Sequence, residues 1–569
     1  MPTLSSLLLH SLLAGSPMST PEGVPLHWPR ENAAPVYLPL VGDSTSATTA
    51  LGASTFSDAV VGGFSRWAWA MNGHLRFDYW QDGPYDAYTT AFARDGLSTI
   101  AFASQSAGAE KLSTTSVAYT ELWTDSSGQI TEVDIVLNDL TFQFVSADGP
   151  QTSLPDYLDP TDRRVVLEDV ITHELGHALG LGHSDEIDAT MFTFGWSAQR
   201  DLSCDDVAGV RAHYSISNAD TGTVIGRVVA PSGTPILGAH VRLISADHPD
   251  VRPSGLSRKD GSFEISGVPS GRYLVGVAPW KAGVRSLSPY YHALDHAICP
   301  SGAFARTFLT RDGGTRLALF DVGGQTTTDV SSILVACSES GGMVTPSLGT
   351  SESPTAPIVQ PDPNEDGGRV AFVDAGIPTM QGNERWYKLV VPEPGLRVRV
   401  LSYSLHSSLE PRLRLLDSAL MPVAIQLSQP LAQPTPDRNF TNYDAQLTAA
   451  DLPAGTYYLA IESSRVPDSE FAYPQFYLDA DPFFVVLVAV GTAVPTAGTQ
   501  PRCTPRMTDL APYMEPSEGP PLPANDASSA SRGCQIDPET PRGTIPPWVV
   551  MGPLCIAYVR CRSRRRLAE

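Results

Sequence analysis

Twelve consecutive residues, His173-Glu174-Leu175-Gly176-His177-Ala178-Leu179-Gly180-Leu181-Gly182-His183-Ser184, constrain this chain more than any other stretch. Residues four apart on a helix lie one turn above each other on the same face, so His173 and His177 can offer two imidazoles to one cation. Zinc prefers a tetrahedral shell, and catalytic sites take three protein ligands with the fourth position left to water. The third ligand has to come from beyond this helix, because a continuing helix would carry it away. Gly180 can adopt the left-handed conformation that ends a helix, and the resulting turn lets His183 swing back. Glu174 stands beside the first ligand and need not bind metal itself. Next to the open position it can take a proton from water and later return it to a leaving amine. A helix with surface histidines and a glycine-rich cap leaves unexplained why three His and one Glu fill all four places.

At 569 residues the chain has room for several domains of roughly 100–200 residues each. Hydrophobic residues make up 42% and charged residues 17%, so packed cores can form. The formal net charge of -23 repels phosphate backbones and disfavours a nucleic-acid partner. Seven cysteines stand at 204, 299, 337, 503, 534, 555 and 561, without the paired spacing of a zinc ribbon. Cys299 and Cys337 bracket one β segment and Cys503 and Cys534 bracket a linker, so each pair is a candidate disulfide; buried or unpaired thiols fit equally well. The odd total leaves at least one free thiol or an intermolecular bond.

Both ends point to export. Leu4 to Leu13 is a short apolar run followed by Ala14, Gly15 and Ser16, like a signal peptide, although no Lys or Arg precedes it and His10 interrupts it. Ile545 to Val559 is apolar, carries Pro546, Pro547 and Pro553, and is followed by Arg560, Arg562, Arg564, Arg565 and Arg566. That run is shorter than the ~20 residues of a spanning helix. It obeys positive-inside logic and resembles a bacterial C-terminal sorting signal.

Between the ends, Phe56, Val60, Phe64, Trp67 and Met71 recur at helical spacing and predict an amphipathic helix. Short β stretches follow at His74 to Tyr79, Thr99 to Ala103, Ser113 to Leu122 and Ile130 to Leu137. A second helix starts near Arg164 and enters the histidine motif. A third covers about Asp205 to Tyr214 with Ser203 as N-cap. Val/Ile-rich strands separated by Gly, Pro and Asp predict one all-β unit over 222–340 and another over 368–490.

The motif HELGHALGLGHS, with Met191 eight residues after His183, resembles the metzincins, and specifically the matrixins. The resemblance spans roughly 28–216. It implies that Met191 forms a hydrophobic floor under the metal; an ordinary core methionine is compatible with that. Leu202 to Val210 is similar to the matrixin C-terminal helix. There an acidic pair, here Asp205 and Asp206, ties the helix to the Met-turn or to a mature N-terminus; an N-cap role alone is the other reading. By the same analogy Ser113 to Leu122 is the edge strand that pairs with an extended peptide. No cysteine precedes Cys204, so a cysteine switch cannot operate. Phe192-Thr193 departs from the usual Tyr-Pro and leaves the specificity pocket, expected over about 192–204, undefined. Asp156, Asp159 and Asp162 are candidate calcium ligands, although acidic loops are more often simply solvated. Residues 222–280 resemble a carboxypeptidase-regulatory-like sandwich and 368–490 a pre-peptidase C-terminal domain.

The expected architecture is an α+β metzincin zinc-peptidase catalytic domain followed by two all-β sandwich domains. The expected division is a leader at 1–27, catalytic domain at 28–216, β-sandwich at 222–340, linker at 341–367, β-sandwich at 368–490, Pro-rich linker at 491–544 and sorting or anchor tail at 545–569. The expected protein is a secreted or envelope-attached extracellular endopeptidase. It would hold one catalytic Zn2+ on His173, His177 and His183, with Glu174 as general base, and act on protein or peptide substrates. Membrane or envelope attachment would run through the tail. An envelope adhesion protein with a vestigial zinc-peptidase domain is the alternative, and a hydrolase of non-peptide amides is a second.

Overall fold

The computed structural model describes residues 56–76, 112–147, 162–186, 188–192, 199–216, 218–248, 250–279, 313–336, 355–361, 368–375, 384–405, 411–423, 442–463, 483–493 and 507–513, with shorter stretches that include 17–19, 24–29 and 560–562. Three helices organise the first third: α1 (Phe56–Ala70), α2 (Leu167–Ala178) and α3 (Cys204–His213). The apolar positions of α1 anticipated from their spacing, Phe56, Val60, Phe64, Trp67 and Met71, are all buried. They face α2, and the indole of Trp67 donates to the Thr172 carbonyl at 2.9 Å. Gly176 makes this packing close, because a Cβ there would lie 2.2 Å from Met191 Sδ and 2.8 Å from the Trp67 ring.

Beside the helices lies a mixed sheet built from β1 (Leu40–Gly42), β2 (Tyr79–Gln81), β3 (Thr99–Phe102), β4 (Ala118–Thr124) and β5 (Ile130–Leu137), in the order β4-β5-β3-β1-β2. β1, β2, β3 and β5 run parallel, and β4 is antiparallel to β5 with Thr120 opposite Ile135. The outer side of β4, expected to be the open edge, is paired in parallel with Arg560–Arg562, which lie opposite Glu121 to Trp123. The C-terminus therefore covers the middle of that edge.

Residues at the end of the expected leader and just beyond it also pack here. Met18 N donates to the Gly180 carbonyl at 2.8 Å, Trp28 donates its indole N–H to Ala178 O at 2.7 Å, and Met18 and Leu26 are buried.

The following β-rich region forms two sheets. One contains β6 (Thr221–Val229), β9 (Ser262–Pro269) and β11 (Thr327–Leu334); the other contains β7 (Ala239–Ser245), β8 (Ser254–Leu256) and β10 (Gly271–Pro279). Most of its buried apolar residues, from Val224 to Val335, are continuous with those of the helices and mixed sheet in one core. Two further sheets, of four and five strands, occupy 358–490, and Ile244, Leu274 and Phe308 of the first β region pack against Val373, Leu401 and Phe483 of this second one.

Cys503 is joined to Cys204, not to Cys534, with the two Cα atoms 4.7 Å apart at a sequence separation of 299. The bond returns the chain to the helical region, at the first residue of α3, after both β regions. There Ser65 Oγ donates to the Tyr513 carbonyl at 3.0 Å. Cys299, Cys337 and Cys534 lie outside the described residues, as does Ile545 to Val559. Among the described residues no helix is long and apolar enough to cross a membrane.

Candidate metal centre

The C-terminal end of α2 shows why the three histidines meet. Gly180 has φ +87°, Gly180 N donates to His177 O at 2.8 Å, and Leu181 N donates to Gly176 O at 3.0 Å. This is a Schellman closure, which reverses the chain one residue past the helix. A side chain at Gly180 would also strike the Leu26 carbonyl, 2.2 Å from a Cβ built there. Beyond the turn His183 returns, and the ligand nitrogens of His173, His177 and His183 lie within 4.8 Å of one another.

The hydrogen bonds around the rings fix which nitrogen faces inward. His173 Nδ1 is 2.6 Å from Thr190 O and His177 Nδ1 is 2.8 Å from Leu181 O. A carbonyl can only accept, so each Nδ1 carries the proton and each Nε2 is left with its lone pair. Those two Nε2 atoms are 3.1 Å apart. Lone pairs held face to face repel unless a cation lies between them. Two nitrogens bound ~2.0–2.1 Å from a tetrahedral zinc ion are separated by roughly 3.3 Å. Burial pulls the His173 imidazole down to about 4 and pulls His177 and His183 well below the ordinary value, so all three are neutral, the form that binds metal. The donor set fits zinc.

Glu174 is fully buried between α2 and β4, and Thr120 Oγ1 donates to its Oε2 at 2.5 Å. Its Oε1 has no hydrogen-bond partner among the described residues. Desolvation pushes the carboxyl up to about 8 against the opposing pull of Thr120. Such a group can hold or release a proton near neutral pH.

Met191 is buried with its sulfur against Gly176, on the turn of α2 between the two helical histidines. Asp206 plays both of the roles anticipated for the acidic pair. It completes a capping box with Ser203, and it accepts from Thr190 N at 2.8 Å and Met191 N at 3.0 Å. Asp205 instead accepts from Ser184 Oγ at 2.5 Å and from Ser254 N, in the first β region, at 2.7 Å. Gln199 closes the Met191 turn from below, donating to Phe192 O at 3.1 Å. Sequence reasoning missed Thr120, Thr190 and Gln199, for which no local spacing gives a signal. Asp162 is engaged by Arg164 at 2.6 Å, while Asp156, Asp159 and residues 193–198 lie outside the described residues.

Helical imidazoles, a third beyond a glycine turn and a buried carboxylate beside the first are the arrangement of metal-dependent peptidases. Residues 45–215 match the peptidase M10 family model, described as Matrixin, and this stretch is a matrixin-like metallopeptidase domain. No curated protein matches the chain. Among solved structures, the major pilin subunit BcpA of Bacillus cereus is 9% identical over 49% of this chain, with a TM-score of 0.12. The match spans only 61% of the pilin's length. A dioxygenase domain from Streptomyces sp. SirexAA-E is 19% identical, covering 21% of this chain and 82% of its own, with a TM-score of 0.11. Hydroxyquinol 1,2-dioxygenase from Pseudomonas putida is 13% identical over 22% of this chain and 58% of its own, with a TM-score of 0.11. Scores this low establish no shared architecture.

Proposed function

We propose that this protein is an exported zinc endopeptidase that hydrolyses peptide bonds within extended protein substrates. The observation that carries the reading is the convergence of three neutral imidazoles, the two helical ones oriented by backbone carbonyls, beside a buried carboxylate with one unengaged oxygen. His173, His177 and His183 would hold the ion. A bound zinc supplies Lewis acidity toward the scissile carbonyl and a more acidic water. The remaining work belongs to the chain. Glu174 accepts a proton from the attacking water through its carboxylate and returns it to the amine as the C–N bond breaks. Thr120 fixes the orientation of that carboxylate, and the Thr190 and Leu181 carbonyls fix the two helical imidazoles.

Two features support export. The Cys204–Cys503 bond suits an oxidising compartment, and the leader and tail have the composition of targeting segments. A vestigial domain in an adhesion protein would have no use for a buried carboxylate kept beside the ligands.

The test is Glu174→Gln in the full chain, assayed on a denatured protein substrate. Zinc should remain at one equivalent while kcat falls by about 10²–10⁴-fold. Wild-type cleavage by E174Q, or wild-type cleavage that a chelator leaves untouched, refutes the mechanism.

A further inference from the structure

His173 and His177 ride on a helix, but His183 stands on a loop, and the loop between it and Met191 has few bonds of its own. Ser184 N donates to Met191 O at 2.7 Å, Glu186 N to Ser184 Oγ at 3.0 Å, and Ala189 N to Glu186 O at 3.1 Å. Asp206 and Gln199 hold the far end of the loop at Thr190 and Met191, and further restraint comes from outside the metallopeptidase domain. Glu186 is buried, with Oε1 paired to Arg242 Nε on β7 and Oε2 paired to Arg252 Nε, just before β8, at 3.2 Å. Arg252 also reaches Asp188 at 2.6 Å. Both arginines are buried too. Asp205 adds a parallel link, joining Ser184, next to the third ligand, to the backbone of Ser254 on β8.

We propose that the first β region is a working part of the metal centre, in which Arg242 and Arg252 grip Glu186 and thereby position His183. This rests on the zinc-peptidase reading above. Three charges, those of Glu186, Arg242 and Arg252, are taken out of water to make the contact, so deleting one partner strands an uncompensated charge at the loop. Alternatives for these residues fare less well. A purely scaffolding contact between domains needs no buried carboxylate on the ligand loop, because the shared apolar core already joins them. Glu186, Arg242 and Arg252 are positioning residues, acting on His183 through the loop that carries it.

The experiment measures the zinc dissociation constant of the full-length protein by competition with a fluorescent chelator, at a temperature where circular dichroism shows each variant folded. Glu186→Gln and Arg252→Met should weaken zinc binding by about 10–100-fold, the range seen when supporting partners of metal ligands are lost. Arg252→Lys, which keeps the charge but not the planar fork, should fall between. Arg369→Met is the control. Arg369 pairs with Asp247 at 3.0 Å between the two β regions, so its loss lowers stability without moving zinc affinity. Zinc affinity of E186Q equal to wild type overturns the inference. If E186Q does not fold, R252K decides in the same way, with unchanged affinity overturning it. A wild-type protein that binds no zinc removes the peptidase reading itself, whereas tight wild-type binding with unchanged variants removes only this proposal.

Discussion

Thr120 donates its hydroxyl to Oε2 of Glu174 at 2.5 Å, so β4 of the mixed sheet is bonded directly to the carboxylate next to His173. The bond holds one carboxylate oxygen and leaves the other available.

Removing that hydroxyl should harm turnover more than binding. Thr120→Val is expected to lower kcat about tenfold, the equivalent of one buried hydrogen bond, with KM nearly unchanged and zinc retained. Thr120→Ser should restore most of the loss. Steady-state kinetics on a quenched peptide decide it, and equal kcat for T120V and wild type would show the bond to be idle.

Packing between α2 and the Met191 turn predicts an asymmetry between two glycines. Gly176→Ala drives a methyl into Met191 Sδ and Trp67, and overpacking of this kind costs about 1–3 kcal/mol. Gly62→Ala on α1 meets only the flexible tip of Arg66, at 3.1 Å, and gains helix propensity worth up to about 1 kcal/mol. Denaturant melts should therefore move in opposite directions. A G176A variant as stable as wild type contradicts the packing described.

The Asp205 carboxyl gives a pH signature. Burial first, then the neighbouring Glu186 charge, push it up to about 8, against the downward pull of Ser184. Because the folded value is raised above the unfolded one, its stabilising contribution is complete below about pH 4 and is lost as pH rises through 8. Compared with Asp205→Asn, the wild type should lose roughly 1 kcal/mol per pH unit between pH 5 and 7. Parallel stability curves for the two proteins would place the group's titration outside that window.

Strand Arg560–Arg562 occupies part of the hydrogen-bonding edge of β4 that an extended substrate would use. A chain ending at residue 544 should therefore show a lower KM for long peptides with little change in kcat. An unchanged KM would mean that substrate pairs elsewhere.

The candidate metal centre is legible wherever its parts are close in sequence. His173 and His177 follow from a four-residue helical step and Gly180 from the need to turn, and both appear as expected. Ser203 as the cap of α3 was equally readable, because capping depends on three neighbouring residues. Thr120 was not, since its partner lies 54 residues away and no periodicity connects a strand threonine to a helix glutamate. The Glu186–Arg242 pair, 56 residues apart, escaped for the same reason. Spacing offers Cys534 as a candidate partner for Cys503, with unpaired thiols fitting equally well, and finds no sign of Cys204, because connectivity among several cysteines is set by folding and cannot be deduced from spacing. The edge character of β4 failed similarly, because its neighbour arrives from more than 400 positions downstream.

The bond between Cys204 and Cys503 makes a covalent ring of everything between them, both β regions included. A single cut within 341–367, the stretch whose composition invites digestion, opens that ring without dividing the molecule. Such a cut leaves the two fragments tethered, and the arginines that reach the loop carrying His183 stay within grasp of it.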